Sequence, residues 1–291
     1  MALSLTAAAC GAAPPAASAR APATKGPATT AHGSGPVAVL YAGSLVDLME
    51  KGIGPAFDKA TGYSFTGISG GSQELAAEIQ GRVHQGDVFV SASPAVDAAL
   101  GGSANGDWVS WSAQFATSPL VLGYNPSSSL AAAVKSQPWY QVLAQPGILV
   151  GRTDPATDPK GNLTVQALQG AASADNQPAL AGVAAATGNV FPENTLVGRL
   201  QSGQLDVGFF YSAEAKAAGI PTVPLTGQSL QATYTVTVLD RAPDPAAAAA
   251  FVRFLLGPGG SSVLTGDGFV LTSPPTVDGT PPADLQGALG G

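Results

Sequence analysis

Two segments of this chain carry an apolar run into a glycine turn and then open an amphipathic helix on a serine: Tyr41-Ala42-Gly43-Ser44-Leu45 and Ser69-Gly70-Gly71-Ser72-Gln73. The run before the first turn, Val37-Ala38-Val39-Leu40-Tyr41, is short and continuous. Such runs belong to strands covered on both faces, as in a parallel sheet. Leu45, Leu48, Met49, Ile53, Ala56 and Phe57 then recur at roughly helical spacing, with Ser44 placed as a cap and Asp47 three residues on. A second strand over 64–68 leads to a helix carrying Leu75, Ile79 and Val83, and Asp87-Val88-Phe89-Val90-Ser91 is a third strand. The alternation predicts an α/β, doubly wound lobe. Two strand–Gly–Ser–helix junctions in one lobe aim two helix N-termini and two hydroxyls at one point. Free N–H groups, the positive ends of helix dipoles and serine O–H groups together suit a small oxyanion.

The rest of the chain holds a second set of the same kind. Strands are predicted over 117–124, 147–151, 205–210 and 232–238. Helices are predicted from about Thr164, from Glu193 to about Gln201, over a short stretch opened by Ser212 and stopped by Gly219, and over 245–256. A length of 291 residues is enough for two lobes, each with its own core.

Charge narrows the partners. The net charge is −7, with only 12 Lys and Arg, so no basic stripe exists to neutralise nucleic-acid phosphates. Any bound anion has to be held by local dipoles and not by the overall field. One cysteine and two histidines provide neither a disulfide framework nor a transition-metal cluster, and no cofactor is expected. Gly67-Ile68-Ser69-Gly70-Gly71 fits the G-x-S-x-G pattern of a hydrolase. The triad order requires a histidine after the acid, and only His32 and His84 exist; an enzyme is not expected.

The ends differ from the middle. No apolar run spans a bilayer. Ala7-Ala8-Ala9-Cys10 looks like a bacterial lipoprotein cleavage box with Cys10 as the lipidated residue, although the basic stretch of an export signal is absent before it. Residues 11–36 are rich in Ala, Pro, Gly and Thr and read as a tether. Residues 278–291 read as a flexible tail.

Several segments together resemble the type II periplasmic solute-binding proteins, in the molybdate/tungstate-binding branch. They are Ala42-Gly43-Ser44-Leu45, Gly70-Gly71-Ser72, the stretch 86–93, Gly151-Arg152-Thr153-Asp154-Pro155 with Asp158-Pro159-Lys160-Gly161, and the stretch 200–211. The resemblance implies two lobes, each a doubly wound sheet, joined by two crossing strands. Lobe 1 would be 37–119 plus 233–277 and lobe 2 would be 120–232, with 120–124 and 234–238 crossing. It implies an oxyanion sealed in the cleft by hinge closure, delivery to the permease of an ABC importer, a monomer, and a place on the outer face of a bacterial membrane through a lipid on Cys10.

Site residues follow from the same resemblance. Ser44 and Ser72 would donate to the oxyanion, with Gly43 and Gly71 allowing close approach. Tyr211 would present a hydroxyl. Backbone amides at Lys160 and at Glu193, the start of a helix, would complete the cage, the Glu193 side chain being free to point to solvent. Asp154 matches a carboxylate that raises the coordination of the metal centre in tungstate binders. The second such position is Phe210 here, so the pair is incomplete, and Glu214 is the one nearby substitute. A four-coordinate oxyanion is the safer expectation. A binder of another small anion such as sulfate, or a sensory lipoprotein on the same fold, are the alternatives.

Overall fold

The computed structural model describes residues 1–2 and 33–290. Cys10 and most of the tether lie outside the described residues. The strands are β1 (Pro36–Ala42), β2 (Ser64–Gly70), β3 (Val88–Ser91), β4 (Trp111–Tyr124), β5 (Val150–Gly151), β6 (Val207–Tyr211), β7 (Thr222–Pro224), β8 (Gln231–Val238) and β9 (Val270–Gly279). The helices are α1 (Gly54–Thr61), α2 (Ser72–Gln80), α3 (Pro94–Leu100), α4 (Ala131–Ser136), α5 (Trp139–Leu143), α6 (Pro159–Ala174), α7 (Ala179–Ala185), α8 (Glu193–Gln201), α9 (Ser212–Ala217), α10 (Pro245–Leu256) and α11 (Pro258–Gly266).

The apolar first strand pairs in parallel with β2 on one side and β3 on the other, Leu40 standing beside Ile68 and Phe89. Val37, Val39, Leu40 and Tyr41 are essentially without exposure, as a strand covered by helices on both faces must be. One cover is α10, whose start is fixed by the Asp244 carboxylate accepting from the Ala246 and Ala247 amides. Its Phe251 meets Phe57 edge-on at 5.3 Å.

The strand order β2-β1-β3-β8-β4-β6-β5 runs through both halves as one curled α/β sheet, with β7 and β9 also paired to β4. The junction is β4. Its first half pairs antiparallel with β8, from Ala113 opposite Val236 to Pro119 opposite Gln231. Its second half pairs with β6, from Leu120 opposite Tyr211 to Tyr124 opposite Val207. The crossing strands are thus longer than the sequence predicts, and residues 120–124 already belong to the second half. That half is also less regular than expected. Its parallel pairing is confined to β5 with β6 and a bridge from Arg152 to Val190, while β4, β6 and β7 pair antiparallel.

Two further expectations change. The helix predicted from about Thr164 begins at Pro159, because Asp158 Oδ1 accepts the Lys160 N–H at 2.9 Å and caps it there. The tail expected to be flexible is packed over its described part. The last strand stays paired with β4 out to Asp278 and Gly279, and Leu285 and Leu289 are buried in the core. Arg253 pairs with Asp284 at 3.0 Å. Among the described residues no single helix is long and apolar enough to cross a membrane.

Candidate oxyanion site

Both junction serines are buried where the two halves meet, and neither caps its helix. Ser44 sits inside a tight turn, Gly43–Leu45, without a side-chain cap bond. Its hydroxyl bonds the Tyr234 hydroxyl at 3.1 Å, tying the first turn to the crossing strand β8. Ser72 is the first residue of α2, and its Oγ accepts the Ala92 N–H at 3.1 Å. Glu74 reaches back to the Gly71 amide at 3.3 Å in place of a serine cap. Both turns are pressed by the opposite half. A Cβ on Gly43 would stand 2.8 Å from Glu193 Oε2, and one on Gly71 would stand 2.3 Å from the Thr157 carbonyl oxygen. These glycines admit protein from the other half at a distance a side chain would forbid.

The second half delivers a charged cluster. Lys160, Glu193 and Glu214 lie in the first turns of α6, α8 and α9, and Asp158 is the cap of α6. Lys160 is completely buried. Its ammonium donates to both oxygens of Glu214, at 2.8 and 2.9 Å, and lies 3.2 Å from Glu193 Oε1. Glu214 also accepts the Tyr211 N–H at 3.1 Å. The Ser118 hydroxyl accepts the Ala213 N–H at 3.0 Å and so fixes the start of α9 to β4. The Glu193 side chain, free to face solvent on the sequence reading, points inward with 1% exposure.

The electrostatics follow from one ammonium facing three carboxyl groups away from water. Burial alone would lower the Lys160 pKa, but Glu214, Glu193 and Asp158 together raise it, so the lysine keeps its proton. Burial, and then the neighbouring Glu193 charge, raises Asp158. Burial likewise raises Glu214 against the pull of Lys160. The Tyr211 hydroxyl is held well above its ordinary range by burial and by the surrounding carboxylates; it stays a donor. Among the described residues it has no hydrogen-bond partner, and neither do Asp158 Oδ2, Thr153 Oγ1, Thr164 Oγ1 or the two Glu193 oxygens. Buried polar groups seldom go unpaired, and Tyr211, Asp158 and Glu193 lie close enough for their charges to act on one another.

Ser44, Ser72, Tyr211, Gly43 and Gly71 lie at one seam, and Lys160 and Glu193 reach it through their side chains; the Lys160 amide, expected to face the anion, is instead taken by the Asp158 carboxylate. Asp154 does not reach the seam. Its carboxylate accepts the Ala156 N–H at 2.9 Å and closes its own turn, half exposed. The carboxylate this loop sends to the seam is Asp158. Glu214 and Tyr234 also belong to it. Asp158 stands before Pro159, the pattern of a helix start, which is a signal available in the sequence. The Arg152 guanidinium is engaged elsewhere, donating to the Ala184 and Ala186 carbonyls at 2.9 and 2.7 Å. Among the described residues no group of His, Cys, Asp and Glu is arranged to hold a metal ion.

The model of the bacterial extracellular solute-binding protein family matches residues 37–270, and the chain belongs to that family. A Haloferax volcanii protein named for ABC transport and molybdenum binding is 30% identical over 232 residues, covering 79% of this chain and 69% of the relative. The molybdate/tungstate-binding protein WtpA of Thermococcus kodakarensis is 25% identical over 227 residues, covering 60% of this chain and 64% of the relative. Among solved structures, the Azotobacter vinelandii periplasmic molybdate-binding protein superposes with a TM-score of 0.65 at 23% identity, covering 81% of this chain and 99% of that one. The fold is that of the two-lobe periplasmic binding proteins.

Proposed function

We propose that this protein is a receptor, not an enzyme, which closes its two lobes on molybdate or tungstate and passes it to an ABC importer. The lobes of this reading are 37–119 with 233–277 and 120–232, and the anchor is a lipid on Cys10 at the outer face of the membrane. The observation that carries the proposal is the meeting of two serine turns from one half with a buried, unpartnered tyrosine hydroxyl from the other. Ser72 accepts from a backbone N–H, so its proton is free to donate, as is that of Tyr211. Donors of this kind suit a fully deprotonated tetrahedral dianion, whereas phosphate near neutral pH brings a proton that needs an acceptor. The names of the relatives point the same way.

Thermal unfolding against molybdate, tungstate, sulfate and phosphate tests the proposal. A ligand at a thousand times its Kd adds about 4 kcal/mol of stability. Molybdate and tungstate should each stabilise the protein and compete with one another, and sulfate should act more weakly because it underfills the cage. No stabilisation by either metal oxyanion would overturn the reading; stabilisation by sulfate alone would reassign the ligand.

A further inference from the structure

Glu193 and Glu214 both face Lys160, but they are held differently. Glu214 has a full set of partners, two bonds from the ammonium and one from the Tyr211 amide. Glu193 has an ion-pair distance of 3.2 Å to the same ammonium, and among the described residues neither of its oxygens makes a hydrogen bond. It is nonetheless 99% buried as a side chain, at the N-terminus of a nine-residue helix, and its far end rests on Gly43 in the serine turn of the other half. A buried carboxylate without hydrogen bonds is costly to keep. It also stands among the groups that would hold an oxyanion: the Lys160 ammonium, the Ser44 turn and the Tyr211 hydroxyl. Beside it a groove of about 200 Å³, lined by Gly43, Ser44, Asp47, Asn194 and Glu214 with Glu193 itself, opens outward.

We infer that the Glu193 carboxylate is a resident stand-in for the ligand, occupying the anion's place against Lys160 until an incoming oxyanion turns it out into the groove. Glu214, fully bonded, remains as the counter-ion that keeps the ammonium positioned. The inference rests on the oxyanion reading for the identity of the competitor, but not for the exchange itself. The affinity would then be set as a difference between two anions competing for one place beside the ammonium.

Two measurements test it. In calorimetric titration Glu193→Gln should bind molybdate roughly tenfold or more tightly than the unaltered protein, because a like charge no longer competes. A structural ion pair would behave in the opposite way, its loss weakening both stability and binding. Independently of any oxyanion, crystals of Glu193→Ala soaked in bromide should show an anomalous peak against Lys160 Nζ that is absent from the unaltered protein. Circular dichroism confirms folding, and Glu193→Gln serves in the soak if Glu193→Ala does not fold. Weaker molybdate binding by Glu193→Gln, or no bromide at Lys160 in a folded variant, overturns the inference. If no oxyanion binds any form but bromide enters the variant, the oxyanion reading falls and the stand-in remains.

Discussion

Ser44 and Ser72 separate two roles that look alike in a sequence. A serine opening a helix is ordinarily a cap, worth about 1 kcal/mol of stability, yet neither serine caps here: the Ser44 turn has no side-chain cap, Glu74 reaches back to the Gly71 amide before α2, and the two hydroxyls bond Tyr234 and the Ala92 N–H. Replacing either by alanine should therefore reduce oxyanion affinity by roughly 1.5–3 kcal/mol, the range for a hydrogen bond to a charged group. Each hydroxyl also holds a buried partner, the Tyr234 hydroxyl or the Ala92 N–H, so unfolding of the free protein should shift as well, by about 1–3 kcal/mol for Ser72→Ala, which strands a buried N–H; calorimetric titration and denaturant unfolding on the same variant separate the two losses. The two serine junctions were legible because turn chemistry is local, whereas Tyr211 was singled out by the resemblance alone. The inward course of Glu193 was not, since a first-turn acid satisfies the helix dipole equally well facing water. Asp154 and Asp158 are four residues apart in one loop, and only the capping bond to Lys160 N selects which of them reaches the seam.

At the scale of elements, the loop before α6 touches the start of α2 across the seam. The Glu74 N–H donates to the Thr157 carbonyl at 3.1 Å across it, and Gly71 lies directly beneath. A Gly71→Ala variant places a methyl group against that carbonyl and should weaken ligand binding by about 1–3 kcal/mol, the usual cost of overpacking, while leaving each half folded. Small-angle scattering with saturating ligand should show a wider molecule than the unaltered protein. A second element-level effect lies in the first half. Asp97, on α3, is buried beneath β3 and β8, where Ser91 and Thr235 donate to its Oδ2. Burial pushes its carboxyl up to about 7. The folded state thus holds a proton that the unfolded chain releases near pH 4. This contribution is full below pH 4 and is lost as the pH rises to about 7, by at most about 1.4 kcal/mol per pH unit. Unfolding measured between pH 4 and 7 should show this slope, and Asp97→Asn should flatten it. In the first half β1, β2, β3, α2 and α10 were readable from their periodicity, while α3, α11 and β9 were not. Short helices such as α5 and α7 were not, because one or two turns give too few apolar repeats to register a period.

For the whole molecule, a net charge of −7 repels the dianion that the cleft is proposed to take. Attraction is left to the hydrogen-bond donors of the seam, while the repulsion is screened beyond a Debye length of about 10 Å at 0.1 M salt. Stopped-flow association with molybdate should accelerate as ionic strength rises, against the slowing seen where opposite charges steer an encounter. A rate that falls with salt would show that the cleft's own field dominates.

The shared strand has a consequence for how the chain is threaded. Ser118 lies beside Ala232 and Pro119 beside Gln231 in the β4–β8 ladder, and the Leu120 N–H reaches the Leu230 carbonyl at 2.8 Å. Everything between those points leaves the first sheet and returns to it at neighbouring positions, like a pendant hung from adjacent links. The outer lobe is an insertion into one hairpin, and a tight turn joining the two strands would close the first sheet without it. Such a topology lets one lobe change its lining, and with it the cargo, while the frame that carries it keeps its pairing.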